Sequence, residues 1–116
     1  MIIKELYDKV TLAQPCNQSD FLTHFDTSVR SIVSKYGTKY VLLPDTVYTR
    51  PTGINDDSPV YEEYMNAIYD NILFLLTGST DRKTDYVAEA DDAYKTVWKR
   101  LMRGLKFRDS RYKELI

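Results

Sequence analysis

Two side chains in this sequence could take up neutral-pH base or nucleophile chemistry: His24, the single histidine, and Cys16, the single cysteine. An imidazole titrates near neutrality and a thiolate attacks carbon or disulfide sulfur, but each works only beside a partner that activates or orients it. His24 lies between Thr23 and Phe25, three residues past Phe21, and no base–nucleophile constellation surrounds it. It reads as a surface or core-edge histidine. With one histidine a cluster of imidazole ligands is excluded. Cys16 has no Cys-x-x-Cys neighbour and cannot form an intramolecular disulfide, so it reads as a buried or loop cysteine in a reducing compartment.

Carboxylates come in pairs at Asp56-Asp57, Glu62-Glu63 and Asp91-Asp92. Neighbours on a helix point about 100° apart and do not converge on one ion. Asp81, Asp85, Glu89 and Asp92 share a helical face at four- and three-residue spacing. Such a row could bind a cation, though its usual meaning is a solvated acidic face. The loop RPTGINDD has the composition of a calcium loop but lacks the alternating ligands and closing Glu of an EF-hand. Four glycines, each at a helix end or in a loop, make no phosphate-binding loop. No cofactor and no metal is expected.

The strongest chemical signal is basic. From Lys99 to Lys113 the chain carries seven basic side chains and one acid. Lys95, Lys99, Arg103 and Lys106 fall on one helical face, with Arg100 beside it, and Phe107 and Tyr112 interleave with Arg108, Arg111 and Lys113. Three readings compete: a phosphate-binding stripe with steep salt dependence, a docking arm that meets an acidic protein groove with the aromatics as anchors, and a plain solvated face. Residues 1–94 carry 8 basic and 15 acidic side chains, a charge of −7, whereas residues 95–116 carry 8 and 2, a charge of +6. The acidic body argues against a nucleic-acid binder. It fits an acidic partner for the C-terminus, or self-association of one copy's tail with another copy's body.

These groups must be positioned by a chain of 116 residues, enough for one domain with a thin core. A hydrophobic content of 43% with 28% charged residues describes a globular chain. The ten tyrosines suit half-buried surfaces, most of them at the edge of an ordinary core. The N-terminus MIIKELYDKV has no apolar signal-peptide region, and the longest apolar run, Ile72 to Leu76, is far short of the ~20 residues of a membrane span. A cytosolic protein, or one assembled there, is expected.

Apolar residues at three- and four-residue spacing (Ile3, Leu6, Tyr7, Val10, Ala13) predict a first helix over residues 2–13, ending before Pro15. Ser19 reads as the N-cap of a second helix with the stripe Phe21, Phe25, Val29, Ile32 and Tyr36, stopped by Gly37. In TKYVLLPDTVYTRP, Tyr40–Leu42 and Val47–Thr49 favour strands and Pro44-Asp45 a turn, so residues 39–50 read as a small hairpin or extended excursion. Ser58-Pro59 reads as the start of a third helix, with Tyr61, Tyr64, Met65, Ile68, Ile72, Leu75 and Leu76 facing the core and Gly78 as its end. The last helix begins at Thr80 or Thr84. Its stripe is Tyr86/Val87, Ala90, Tyr94, Val97/Trp98, Leu101 and Leu105, and Gly104 is expected to fray or bend it. The expected fold is therefore mainly α. A four-helix, bundle-like domain spans 1–105, interrupted between helices two and three by a β-like excursion at 38–57, and a basic tail follows at 106–116. A helix-turn-helix reader is disfavoured, because the helix after GSTDRK opens with Asp81, Asp85, Glu89, Asp91 and Asp92, which phosphates repel.

This layout resembles the tailed-phage head–tail connector (adaptor) proteins. The resemblance rests on a short initial amphipathic helix, the tyrosine-rich excursion KYVLLPDTVYTRPTGINDDSPVYEEY, the apolar helix NAIYDNILFLLTG and the Trp-bearing basic close ADDAYKTVWKRLMRGLKFRDSRYK. It spans most of the chain and contains no single diagnostic motif. The resemblance implies a structural, non-enzymatic protein of the virion neck, assembled in the host cytoplasm. Such proteins typically form a dodecameric ring under the portal protein and enclose double-stranded DNA in passage without reading its sequence. It also implies a next neck or tail-completion protein as a second partner, and no membrane. A subunit with so acidic a body can stay monomeric until it meets its template. Carried onto this chain, Lys99, Arg100, Arg103, Lys106, Phe107, Arg108, Arg111, Tyr112 and Lys113 would grip the portal, chiefly through residues 104–116. Tyr40, Leu42, Val47, Tyr48 and Arg50 would meet a neighbouring subunit or the next neck protein. Affinity would come from Trp98, Phe107, Tyr112, Tyr40 and Tyr48 where exposed. The alternative is a small helical DNA-binding or packaging-associated protein that uses its basic C-terminus.

Overall fold

The computed structural model describes residues 2–108. The fold is mainly α-helical and bundle-like. In chain order it comprises α1 (Ile3–Ala13), α2 (Gln18–Tyr36), a single turn α3 (Thr38–Val41), a 3-10 turn (Glu62–Tyr64) leading into α4 (Met65–Thr77), and α5 (Thr80–Arg108).

The helix ends follow local chemistry, with three departures from expectation. Asn17, not Ser19, caps α2: its Oδ1 accepts from the backbone N–H of Asp20 at 2.7 Å, which places Ser19 inside the first turn. Ser58 does not cap α4. It is buried, its hydroxyl accepting from Val60 N–H and lying 3.6 Å from Met65 Sδ, and the helix starts only after the 3-10 turn. Gly104 does not end α5, which runs on to Arg108, past the expected boundary at 105 and 106. Gly37 (φ 90°) and Gly78 (φ 74°) do close α2 and α4, in a region of backbone space that costs a side-chain-bearing residue strain.

The core is built around α4. Ile3, Leu6 and Val10 of α1, Phe21, Phe25, Val29 and Ile32 of α2, Ile68, Ile72 and Leu73 of α4, and Ala90, Ala93 and Val97 of α5 are all buried. Burying a side chain such as Phe25 contributes about 2–3 kcal/mol. Where the periodicity left a choice on α5, Tyr86 and Val97 turn inward while Val87 and Trp98 turn out; on α4, Leu75, expected to face the core, is exposed, and Leu73 is buried instead. A polar joint also crosses the core. Asn71 Nδ2 donates to Ser28 Oγ at 2.7 Å, and that hydroxyl donates to the carbonyl of His24 at 2.7 Å, so both buried groups are satisfied.

Of the two forms expected for residues 39–50, the hairpin does not form, and residues 46–50 run as an extended excursion. Tyr40 and Val41 complete α3, and Leu42 bridges antiparallel to Val60 instead of to the Val47 run. Leu43 N–H donates to the Pro59 carbonyl and Tyr61 N–H to that of Val41, both at 2.9 Å. This register buries Val41, Leu42 and Val60 together, whereas a turn-closed hairpin would pair them with Val47, which is 88% exposed. The Pro44-Asp45 turn does form, with Asp45 at φ 59°. The following loop is folded on itself: Thr52 and Gly53 N–H donate to the Asp56 carboxylate, and Ile54 is tucked into the core. The Asp56 carbonyl accepts from Ile3 N–H at 3.0 Å, so the loop satisfies a free donor at the start of α1.

Candidate functional site

Helix α5 organises the candidate surface. Its 29 residues rise about 44 Å. Ala90, Ala93, Val97 and half-buried Leu101 hold one side to the body, and the helix continues beyond Leu101 by two further turns. Among the residues expected to grip a partner, Lys99 and Arg103 stand exposed on the opposite side, with Trp98 (42% exposed) on the flank between. Arg100 is committed within the chain: its Nη2 lies 2.8 Å from Glu63 Oε2, and its guanidinium sits over the Tyr61 ring at 5.1 Å. It fastens α5 to the 3-10 turn. Lys95 lies 3.0 Å from Asp91, one turn back. Lys106, Phe107 and Arg108 fall in the last turns of α5, whereas Arg111, Tyr112 and Lys113 lie outside the described residues.

The excursion is less available than its sequence suggests. Leu42 is a core residue at 4% exposure and cannot present itself to a neighbour. Tyr40 packs edge-on against Tyr94 with ring centroids 5.5 Å apart. Tyr48 donates its hydroxyl to Asp26 Oδ1 at 2.6 Å, and Arg30, which also bonds Asp26, covers its ring. Burial, reinforced by the Asp26 carboxylate, pushes the Tyr48 phenol well above its usual range. Arg50 Nη2 donates to Thr23 Oγ1 at 2.8 Å. Residues 46–50 are therefore a strap held on α2, and of the expected interface set only Val47 projects freely, with Leu43 partly exposed beside it. The strap is flanked by two open apolar grooves. One, of about 540 Å³, lies against α2 and includes Val33, Leu42 and Tyr48; the other, of about 610 Å³, lies between the strap, Tyr61 and Leu101. Tyr48→Phe is expected to lower stability by about 1 kcal/mol through loss of a hydrogen bond to a charged acceptor. Its first sign should be faster proteolysis between residues 43 and 52, readable by limited digestion and mass spectrometry.

The residues with intrinsic chemistry are not assembled for it. Burial, with Asp20 nearby, pushes the Cys16 thiol up, away from the reactive thiolate. His24 is half-buried on α2 with its carbonyl engaged by Ser28. The acidic row of α5 is split. Asp81, Asp85 and Asp92 face solvent, while Glu89 turns toward α4, and among the described residues no three His, Cys, Asp or Glu side chains converge as a metal site requires. Around Glu89 lies a cluster that the helical spacing did not reveal. Asp70 is buried at 4% exposure and accepts from Arg82 Nη1 at 2.9 Å; with Glu89 ionised, its Oε2 would be buried without a partner. A proton on Glu89 supplies the missing donor to Asp70, and this bond together with burial raises the Glu89 carboxyl to about 7. The available signal was a charge inside the apolar run NAIYDNILFLL. Tyr64 is buried, and every other described tyrosine is half-buried, at the edge of the core.

Among the described residues no helix is long and apolar enough to cross a membrane. No family model, no curated protein and no solved structure matches this chain.

Proposed function

We propose that this protein is a structural, non-enzymatic component of a tailed-phage virion. It would be a head–tail connector that assembles as a ring beneath the portal and surrounds the DNA channel. The observation that carries the reading is the C-terminal end of α5. It runs on past Leu101, the last core-packed side chain among the described residues, with Lys99, Arg103 and Trp98 exposed, on a chain whose first 94 residues are strongly acidic. An elongated cationic helix end with an aromatic anchor suits a socket in a larger protein assembly. The acidic body suits a channel wall that must not retain phosphates. The strap tip, Leu43 and Val47, is the part of the excursion left to meet a neighbouring subunit or the next neck protein.

The test is binding of the purified protein to the portal ring of its own source, scored by sedimentation and electron microscopy. The intact chain should form a stoichiometric ring. Removal of residues 104–116 should abolish it, and Lys99→Glu with Arg103→Glu should weaken it at least tenfold. No portal binding, combined with a salt-sensitive shift of duplex DNA that the truncation abolishes, would overturn the connector in favour of a phosphate-binding arm.

A further inference from the structure

The solvent face of α5 carries a charge pattern that its own body does not use. Asp81, Asp85, Asp92, Lys95, Lys99 and Arg103 all lie on the side opposite Ala90, Ala93 and Val97, and all are exposed. Along this face the first half is acidic and the second half basic, with exposed Ala88 between the acids. Lys95 is paired with Asp91; among the described residues the other five make no ion pair. On one flank of the same face stand two exposed apolar side chains, Val87 and Trp98, one in each half.

We propose that this face binds a second copy of the chain, α5 against α5 and antiparallel, as an isologous dimer. The pattern is self-complementary in that direction only. A parallel pair in register would set acid on acid and base on base, at a cost in free energy, whereas an antiparallel pair sets each acidic half on a basic half, twice by symmetry. In the register that places Asp92 near Lys95 of the partner subunit, Asp85 meets Arg103 of the partner subunit and Ala88 leaves room for Lys99 of the partner subunit. The same flank meets itself across an antiparallel pair, so Val87 packs against Trp98 of the partner subunit and contributes the apolar part of the affinity. The ion pairs, exposed at the rim, set direction and register.

The dimer goes beyond the connector reading and does not depend on it. It has one consequence for that reading: Lys99, Arg103 and Trp98 are covered in the dimer, so docking onto a portal and dimerisation exclude each other. The dimer would be the form held in reserve before assembly.

The experiment needs no portal. Sedimentation of the full chain at roughly 100 µM should give a dimer. Its dissociation constant should rise at least tenfold between about 50 mM and about 500 mM salt. Dimerisation should shift the fluorescence of Trp98, the only tryptophan, to the blue. Asp85→Lys with Asp92→Lys should be monomeric, and so should Lys99→Glu with Arg103→Glu; an equimolar mixture of the two should re-form a dimer. Both variants change only exposed positions, and circular dichroism checks that each keeps its helices. Direction is read by cross-linking. In a Cys16→Ser background, Ala88→Cys and Lys99→Cys chains should form a disulfide with each other and not with themselves. A wild-type monomer at low salt, a dimer indifferent to both reversals, an assembly larger than two, or cross-linking of Ala88→Cys to itself would each overturn the proposal.

Discussion

Replacement of Arg82 by Ala should lower stability by about 2–3 kcal/mol at pH 8 and by clearly less at pH 5. Asp70 is buried and Arg82 is its cationic partner, at 2.9 Å across the α4–α5 contact. Removing one member of a buried pair costs about 3–5 kcal/mol, and the lower figure here allows for Arg82 being partly solvated. At pH 5 Glu89 carries its proton and still donates to Asp70, so the deficit shrinks. Glu89 adds a separate pH dependence in the unaltered protein. Its carboxyl is raised to about 7 in the folded state from 4.5. The protonated form therefore favours folding: the contribution is fully present below 4.5 and is lost as pH rises through about 7. Glu89→Gln keeps a donor for Asp70 and removes the charge. It should leave stability near pH 4.5 unchanged and raise it by about 1 kcal/mol at pH 8, a figure discounted for the half-exposed site. Denaturant titrations of the three proteins at pH 4.5, 5 and 8 read both effects. A Glu89→Gln protein less stable than the parent at pH 8 would refute the shared proton.

The second large effect is expected at Tyr64, and its sign depends on what replaces the ring. Tyr64 is fully buried at the start of α4, with Tyr36 of α2 against it at 6.4 Å and Tyr94 of α5 stacked on Tyr36 at 4.7 Å. Three elements meet on these rings. Tyr64→Ala should cost about 3–5 kcal/mol, from lost burial and the cavity left behind. The Tyr64 hydroxyl has no hydrogen-bond partner among the described residues. Burial and the neighbouring Tyr36 accordingly push its phenol well above the usual range. Tyr64→Phe removes that unmade hydrogen bond and keeps the ring, so it should raise stability by about 1 kcal/mol. Thermal or denaturant unfolding of both variants checks the pair of signs. A destabilised Tyr64→Phe would mean that the hydroxyl is satisfied by water.

The sequence by itself determined what depends on near neighbours. The apolar spacing of residues 3–10, 21–32 and 65–72 specified the buried faces of α1, α2 and α4, because residues three and four apart share one side of a helix. Gly37 and Gly78 marked helix ends because a left-handed residue is a local requirement. The polarity of α5, acid then base, was legible as composition.

The tertiary structure alone decided how distant residues spend their groups. Strand propensity in Tyr40–Thr49 could not choose between Val47 and Val60 as the partner of Leu42; the choice went to the register that buries Val41, Leu42 and Val60 together. Ser58 looks like a cap in sequence, yet its hydroxyl is drawn into the core beside Met65. Arg100 and Lys99 are adjacent basic residues, but Arg100 lies against Glu63 and Lys99 faces solvent. Tyr48 and Arg50 read as interface residues and are bound to Asp26 and Thr23 of their own α2. A side chain's availability depends on what packing brings within about 3 Å of it, and that distance has no counterpart along the chain. Local periodicity thus specified which faces exist. Packing determined which of those faces were already occupied, and it left the outer side of α5 exposed.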